Sequence, residues 1–198
     1  MKKILTLCLP LTLSLVMAQE AALNLPDAEV ATSRQQVEID GKTIQLIAQA
    51  GTYKLRDEEN KPLALFGYTS YIKEGAKSTR PIVFAFNGGP GSSSFWLHMG
   101  VLGPKRIVVN DPDYTPAAPY QIVNNDYSIL DVADLVMIDP VGTGLSVPLG
   151  KHAFDEFWGV DQDIRSISLF ITQYLIEQGR MNSPKFLLGE SYGTFRNA

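Results

Sequence analysis

"KFLLGESYGT", residues 185–194, is an apolar run that stops at a serine fenced by two glycines, with a glutamate pressed against it. The run reads as a third short buried strand, residues 185–189, ending where the chain must turn sharply. Gly189, Glu190, Ser191, Tyr192 and Gly193 fit the form G-x-S-x-G. In that form a serine on a strand-to-helix turn takes a strained backbone conformation, and its crowded neighbours must lack side chains. The turn lifts the hydroxyl above the sheet edge and points the next backbone N–H groups at the same space. Alone, the pentapeptide is equally an ordinary strand-to-helix turn; the buried strand before it gives it weight.

Upstream, two more apolar runs end in glycine-rich turns. "IVFAF" (82–86) follows Pro81 and leads into "NGGPGSSS" (87–94), and "ADLVMI" (133–138) opens into "DPVGTGLS" (139–146). Between the second and third runs, Val160, Ile164, Ile167, Ile171 and Leu175 recur at helical spacing, and Gly179 sits where such a helix would end. Buried strands alternating with a helix predict an α/β domain with a mostly parallel sheet. Before Pro81 the pattern changes to two or three antiparallel strands. Val37 and Ile39 alternate with polar neighbours, Asp40-Gly41 is a hairpin turn signal, and Glu59-Asn60-Lys61-Pro62 marks a second turn. Residues 103–128, rich in Pro, Asn and Asp, read as a long irregular excursion. Residues 19–35, without clear periodicity, read as a flexible arm.

The glycine-rich segments have a chemical reading. A serine attacking a carbonyl creates an oxyanion that two preorganised donors must meet, and backbone N–H groups are the usual pair. In α/β-hydrolases one donor follows the nucleophile and the other lies in a glycine-rich loop after an earlier strand. Tyr192 and a glycine of 87–94 fit those requirements. The competing phosphate-loop reading lacks the lysine of G-x-x-x-x-G-K-[ST], and Gly142-Thr143-Gly144 is followed by Val147 where dinucleotide binding would require a third glycine. A tight turn lining the pocket is the simpler interpretation of 139–146.

The chain has 198 residues, 45% hydrophobic and 19% charged, with formal net charge −4. Two lysines, an apolar stretch from Ile4 to Val16 and then Met17-Ala18 make residues 1–18 a secretory signal peptide, too short to span a membrane. The expected protein is therefore exported, periplasmic or secreted, without a membrane anchor after cleavage. Cys8, the only cysteine, lies in that leader, so the mature chain has no disulfide, thiolate metal site or cysteine nucleophile. Removing Lys2 and Lys3 makes the remainder more acidic, which speaks against nucleic acid. No metal or organic cofactor is implied, since no ligand cluster stands out and acyl transfer needs none.

"NGGPGSSS", "DPVGTGLS" and "GESYG", in this order, resemble the three signature segments of the serine carboxypeptidase family. The resemblance spans Pro81 to the end and implies an α/β-hydrolase fold and removal of residues from peptide C-termini. Position by position, it implies Ser191 as nucleophile and the N–H groups of Gly89 and Tyr192 as the oxyanion hole. Asn87, the N–H of Gly88, and Glu190 would hold the carboxylate of a peptide with a free C-terminus. Eukaryotic members usually have cysteine at the position of Ser92, tryptophan at Ala85 and glutamine at Asp139, so the pattern fits a bacterial-type member. A protonated Glu190 would donate to the substrate carboxylate beside Asn87, because two adjacent carboxylates do not both ionise readily.

The serine also needs a base. His98 and His152, the only histidines, both precede Ser191, whereas the α/β-hydrolase order is Ser, then Asp or Glu, then His. His98 is expected on a helix face or pocket wall and His152 in an exposed loop. The triad Asp and His are thus expected outside this chain, making 36–198 the N-terminal part of a catalytic domain, incomplete at its C-terminus and inactive alone. An acyltransferase or esterase on the same frame, or a non-catalytic exported peptide-binding protein, are the alternatives.

Overall fold

The computed structural model describes residues 25–109 and 117–198. The expected signal peptide, 1–18, lies outside the described residues, as does the first part of the expected arm. Its far end is not loose. Strand β1 (Val30–Ile39) already opens there and pairs antiparallel with β2 (Lys42–Arg56) along its whole length. Residues 30–36 are exposed, so no alternation announces them; the backbone ladder alone holds them. Asp40 and Gly41 join the two strands at φ 49° and 70°, the left-handed pair that a two-residue hairpin turn demands.

Strand β3 (Pro62–Lys73) returns antiparallel to β2. Its turn is closed by Asp57, whose N–H donates to the Lys61 carbonyl at 3.0 Å and whose Oδ1 accepts from the Lys61 N–H at 2.7 Å. Strand β4 (Ile82–Phe86) follows, then a short helix α1 (Phe95–Leu97) that continues as a π-helical turn, His98–Leu102. The excursion expected over 103–128 contains a small separate ladder, β5 (Lys105–Ile107) against β6 (Ile122–Asn124). Next come β7 (Asp134–Ile138), the short β8 (Val147–Pro148), helix α2 (Val160–Glu177), β9 (Lys185–Gly189) and helix α3 (Gly193–Asn197).

The main sheet has the order β1-β2-β3-β7-β4-β9, with β8 beside β3. Pairings are antiparallel up to β7 and parallel for β7-β4-β9. The fold is therefore α/β, as expected, with the antiparallel N-terminal strands on one side and the parallel set on the other. Alternation in β4 and β7 divides the core in two. Ile82, Phe84, Phe86, Val136 and Ile138 face α2, while Val83, Ala85, Leu135 and Met137 face the side that carries Leu97 and Leu102.

Helix α2 lies one step away from its expected phase. The buried face runs Asp163, Ser166, Ile167, Phe170, Tyr174, Leu175, and Val160 is half exposed. Aromatic size decides this. Phe170 stacks on Phe66 at 5.4 Å and Tyr174 meets Phe84 and Tyr68 edge-on at 6.0 and 5.7 Å, contacts worth more than burying smaller aliphatic groups. The helix ends as expected at Gly179, φ 63°. Gly179 N–H donates to Ile176 and Arg180 N–H to Leu175, closing a Schellman motif. Strand β9, expected to be buried, is partly bare: Phe186 and Leu187 are exposed because β9 forms the sheet edge among the described residues.

Candidate active site

All three glycine-rich segments leave the C-terminal ends of adjacent parallel strands, where open α/β sheets form their crevices. Strand β4 lies between the other two, which sets its loop between the turns after β7 and β9. After β9 the backbone doubles back at Ser191, whose φ is 56°. That left-handed conformation is rare for a residue with a side chain. A Cβ on Gly189 would lie 2.1 Å from the Gly193 carbonyl oxygen, and one on Gly193 would lie 2.9 Å from that of Phe86. Both glycines are thus required by close backbone approach. The Ser191 residue is exposed.

The 87–94 loop touches this turn. A Cβ on Gly88 would sit 2.4 Å from the Tyr192 nitrogen and 2.7 Å from the Glu190 carbonyl oxygen. Asn87 is buried, and its Oδ1 accepts the Leu97 N–H at 3.1 Å. That bond fixes the amide orientation and directs Nδ2 to Glu190 Oε2, 3.0 Å away. Among the described residues, the N–H groups of Gly89 and Tyr192 donate to no other protein group. Ser191, Tyr192, Gly89, Gly88, Asn87 and Glu190 are therefore brought together at one place.

The third segment buttresses the loop. Asp139 Oδ1 accepts both the N–H and the hydroxyl of Ser94 at 2.8 Å, anchoring the end of the glycine-rich loop. The turn after it is tight, with Gly142 and Gly144 at φ 90° and 51°. A cavity of about 310 Å³ opens beside the site, lined by Pro90, Val141, Gly142, Phe157, Trp158 and Tyr192 among others. In its wall a buried pair joins two elements: Arg196 Nε donates to Asp163 Oδ2 at 2.6 Å. Burial pushes the Asp163 carboxyl up from its ordinary value, while the hydrogen bond and charge of Arg196 pull it back.

Sequence reasoning missed Asp163 and Arg196 as parts of this assembly; it set the 139–146 turn beside the pocket but gave the Asp139 side chain no role. Asp163 had a signal: it falls four residues before Ile167, a charged side chain on the buried stripe of α2. Arg196, five residues past Ser191, had none, because a single guanidinium in a short helix has no periodicity to read.

The two histidines have other partners. His152 Nδ1 pairs with Glu156 Oε2 at 2.7 Å and is half-buried, not exposed as expected. His98 Nε2 lies 2.7 Å from the Tyr71 hydroxyl. Burial raises Tyr71 to about 12, so its hydroxyl keeps its proton beside the His98 ring nitrogen. Burial also pushes the His98 imidazole below its ordinary value, partly opposed by the Asp139 charge. A group whose folded value is depressed contributes stability above its unfolded value of about 6.5 and loses it as pH falls. The melting temperature is expected to decline on acidification below about pH 6.5. In His98→Gln that component disappears, measured as a flatter Tm-versus-pH curve through this range. An unaltered curve would refute the assignment.

Comparison with known proteins gives a consistent result. The serine carboxypeptidase family model matches residues 41–194. Serine carboxypeptidase-like 45 of Arabidopsis thaliana is 27% identical over 186 residues, which cover 92% of this chain and 37% of that protein. Serine carboxypeptidase-like 33 of the same plant is 34% identical over 92 residues, 46% of this chain and 17% of its own length. The chain thus spans well under half the length of these relatives. Among solved structures, the prohormone-processing carboxypeptidase Kex1 of Saccharomyces cerevisiae superposes with a TM-score of 0.55 at 24% identity, over 77% of this chain and 33% of Kex1. No helix among the described residues is long and apolar enough to cross a membrane.

Proposed function

This chain belongs to the serine carboxypeptidase family, and from that premise we propose that it supplies the nucleophile and the carboxylate-binding groups of an exported enzyme that shortens peptides from their C-termini. The Ser191 hydroxyl attacks the last peptide carbonyl, and its proton passes through a base to the departing amine. The C–N bond breaks, leaving an acyl group on Ser191, and water then releases the shortened peptide. The oxyanion formed in each half faces the amides of Gly89 and Tyr192. Asn87, the Gly88 amide and Glu190 hold the terminal carboxylate of the substrate. The observation that carries this reading is the close approach of the Asn87–Gly89 loop to the Ser191 turn, with Asn87 Nδ2 3.0 Å from Glu190 Oε2.

The serine requires a base oriented by a carboxylate, an Asp and then a His in the α/β-hydrolase order; His98 and His152 are paired with Tyr71 and Glu156 instead and do not serve as that base. In the complete protein, a fluorophosphonate should label Ser191, located by peptide mass spectrometry. The same protein should cleave peptides with a free terminal carboxylate at least tenfold faster than their C-terminal amides, because an amide leaves the carboxylate donors poorly matched. Equal turnover of both, or labelling elsewhere, would overturn the proposal. Export is tested by the N-terminus of the secreted form, expected at Gln19.

Glu190 has a defined part. With Oε2 engaged by Asn87, its other oxygen is available to carry the proton shared with the substrate carboxylate. Glu190→Gln cannot ionise and still donates. The variant should retain peptidase activity with a KM for free-carboxylate peptides close to native, whereas Glu190→Ala, which offers no donor, should raise that KM about tenfold. Equal KM values for the two variants would refute a donor role at this position.

A further inference from the structure

Arg196 is almost wholly buried, yet it touches three elements of the site at once. Nε donates to Asp163 Oδ2 in the first turn of α2 at 2.6 Å, and Nη1 donates to the Asn87 carbonyl oxygen at the end of β4. The guanidinium carbon lies 5.1 Å from the Tyr192 ring centre and 5.6 Å from that of Phe86. A buried ion pair costs desolvation that its attraction barely repays. Its use is better sought in what it orients.

The Asn87–Gly88 peptide bond is planar, and in a trans peptide the carbonyl and the next N–H point in opposite directions. With the Asn87 oxygen turned to Arg196, the Gly88 N–H points away from that guanidinium, and among the described residues it donates to no protein group. We infer that Arg196 is a positioning residue: by holding the Asn87 carbonyl and stacking on Tyr192, it directs the Gly88 amide at the substrate's terminal carboxylate. Asp163 keeps the guanidinium from rotating, because the fork geometry commits Nε to its carboxylate while Nη1 reaches the Asn87 oxygen. This inference rests on the carboxypeptidase reading, and it assigns free-carboxylate selectivity to a residue that never meets the substrate.

The test is the ratio of kcat/KM on a peptide with a free C-terminus to that on its amide, in the complete enzyme. Rates are expressed per active site titrated with fluorophosphonate, so a loss of folded protein leaves the ratio unmoved. Arg196→Met keeps the length and apolar stem without donors, and the ratio should fall about tenfold, the worth of one charge-assisted hydrogen bond. Arg196→Lys, a point charge without the fork, should fall by a smaller factor of about three. If Arg196→Met yields no titratable sites, Arg196→Lys and Asp163→Asn are read against the same expectation of a lowered ratio. A native ratio near one overturns the carboxypeptidase reading and this inference with it. A high native ratio that persists in the variants overturns the inference alone.

Discussion

Asp134→Ala is expected to destabilise the domain by about 3–5 kcal/mol, the scale for removing one partner of a buried ionic cluster. Asp134 opens β7 and is fully buried. Its Oδ2 accepts Arg180 Nη1 at 2.8 Å, and its Oδ1 accepts Arg80 Nε at 3.2 Å and the Lys73 N–H at 2.9 Å. The two guanidinium groups also reach backbone oxygens: Arg180 Nη2 that of Arg80, and Arg80 Nη2 those of Leu130 and Ala133. Removing the carboxylate leaves two desolvated cations with no counter-charge. The change should be read as a lowered midpoint in equilibrium urea unfolding at unchanged slope. Replacing the whole cluster, Asp134→Leu with Arg80→Met and Arg180→Met, should cost less than the single alanine, since no charge is then stranded. A single-variant loss under about 1 kcal/mol would mean that solvent screens the cluster.

Gly88→Ala is expected to lower kcat/KM by about a hundredfold with a modest effect on stability, the penalty associated with misplacing reacting groups by an ångström. The added carbon would fall 2.4 Å from the Tyr192 nitrogen and 2.9 Å from the Tyr192 Cβ. These are backbone and first side-chain atoms of the nucleophile turn, which cannot swing away as a flexible side-chain tip would. The loop and the turn must part, and the space between the Gly89 and Tyr192 amides widens. The control is Gly75→Ala, where nothing lies within 4 Å although φ is 70°. It should cost about 1 kcal/mol of stability and no activity per titrated site. Native kcat/KM in Gly88→Ala would mean that the loop and the turn do not act together.

Much of this was legible in the residues. The Asp40-Gly41 turn, the strands at 82–86 and 133–138, and the helix end at Gly179 each follow from local chemistry that tertiary contacts do not override. The order of the three glycine-rich segments carried the family and with it the fold. Three things were not legible. The phase of α2 depends on which aromatic rings of β3 and β4 it meets, information carried by residues about a hundred positions away. Residues 30–36 are strand because β2 offers them a ladder, not because of their own side chains. The Asp163–Arg196 pair joins two segments separated by a strand, so no window of sequence contains both.

Helix α2 has an ionic clamp at each pole. Asp163 grips Arg196 beneath the Ser191 turn, and Arg180, delivered by the Gly179 bend, grips Asp134 at the far end of the sheet. Its 18 residues make a strut of about 27 Å, pinned beneath the Ser191 turn and where the strands begin. Deleting one residue would shorten it by about 1.5 Å and turn one end against the other by about 100°, so both clamps could not close together. Homologous length changes should accumulate in the neighbouring loops and spare this segment.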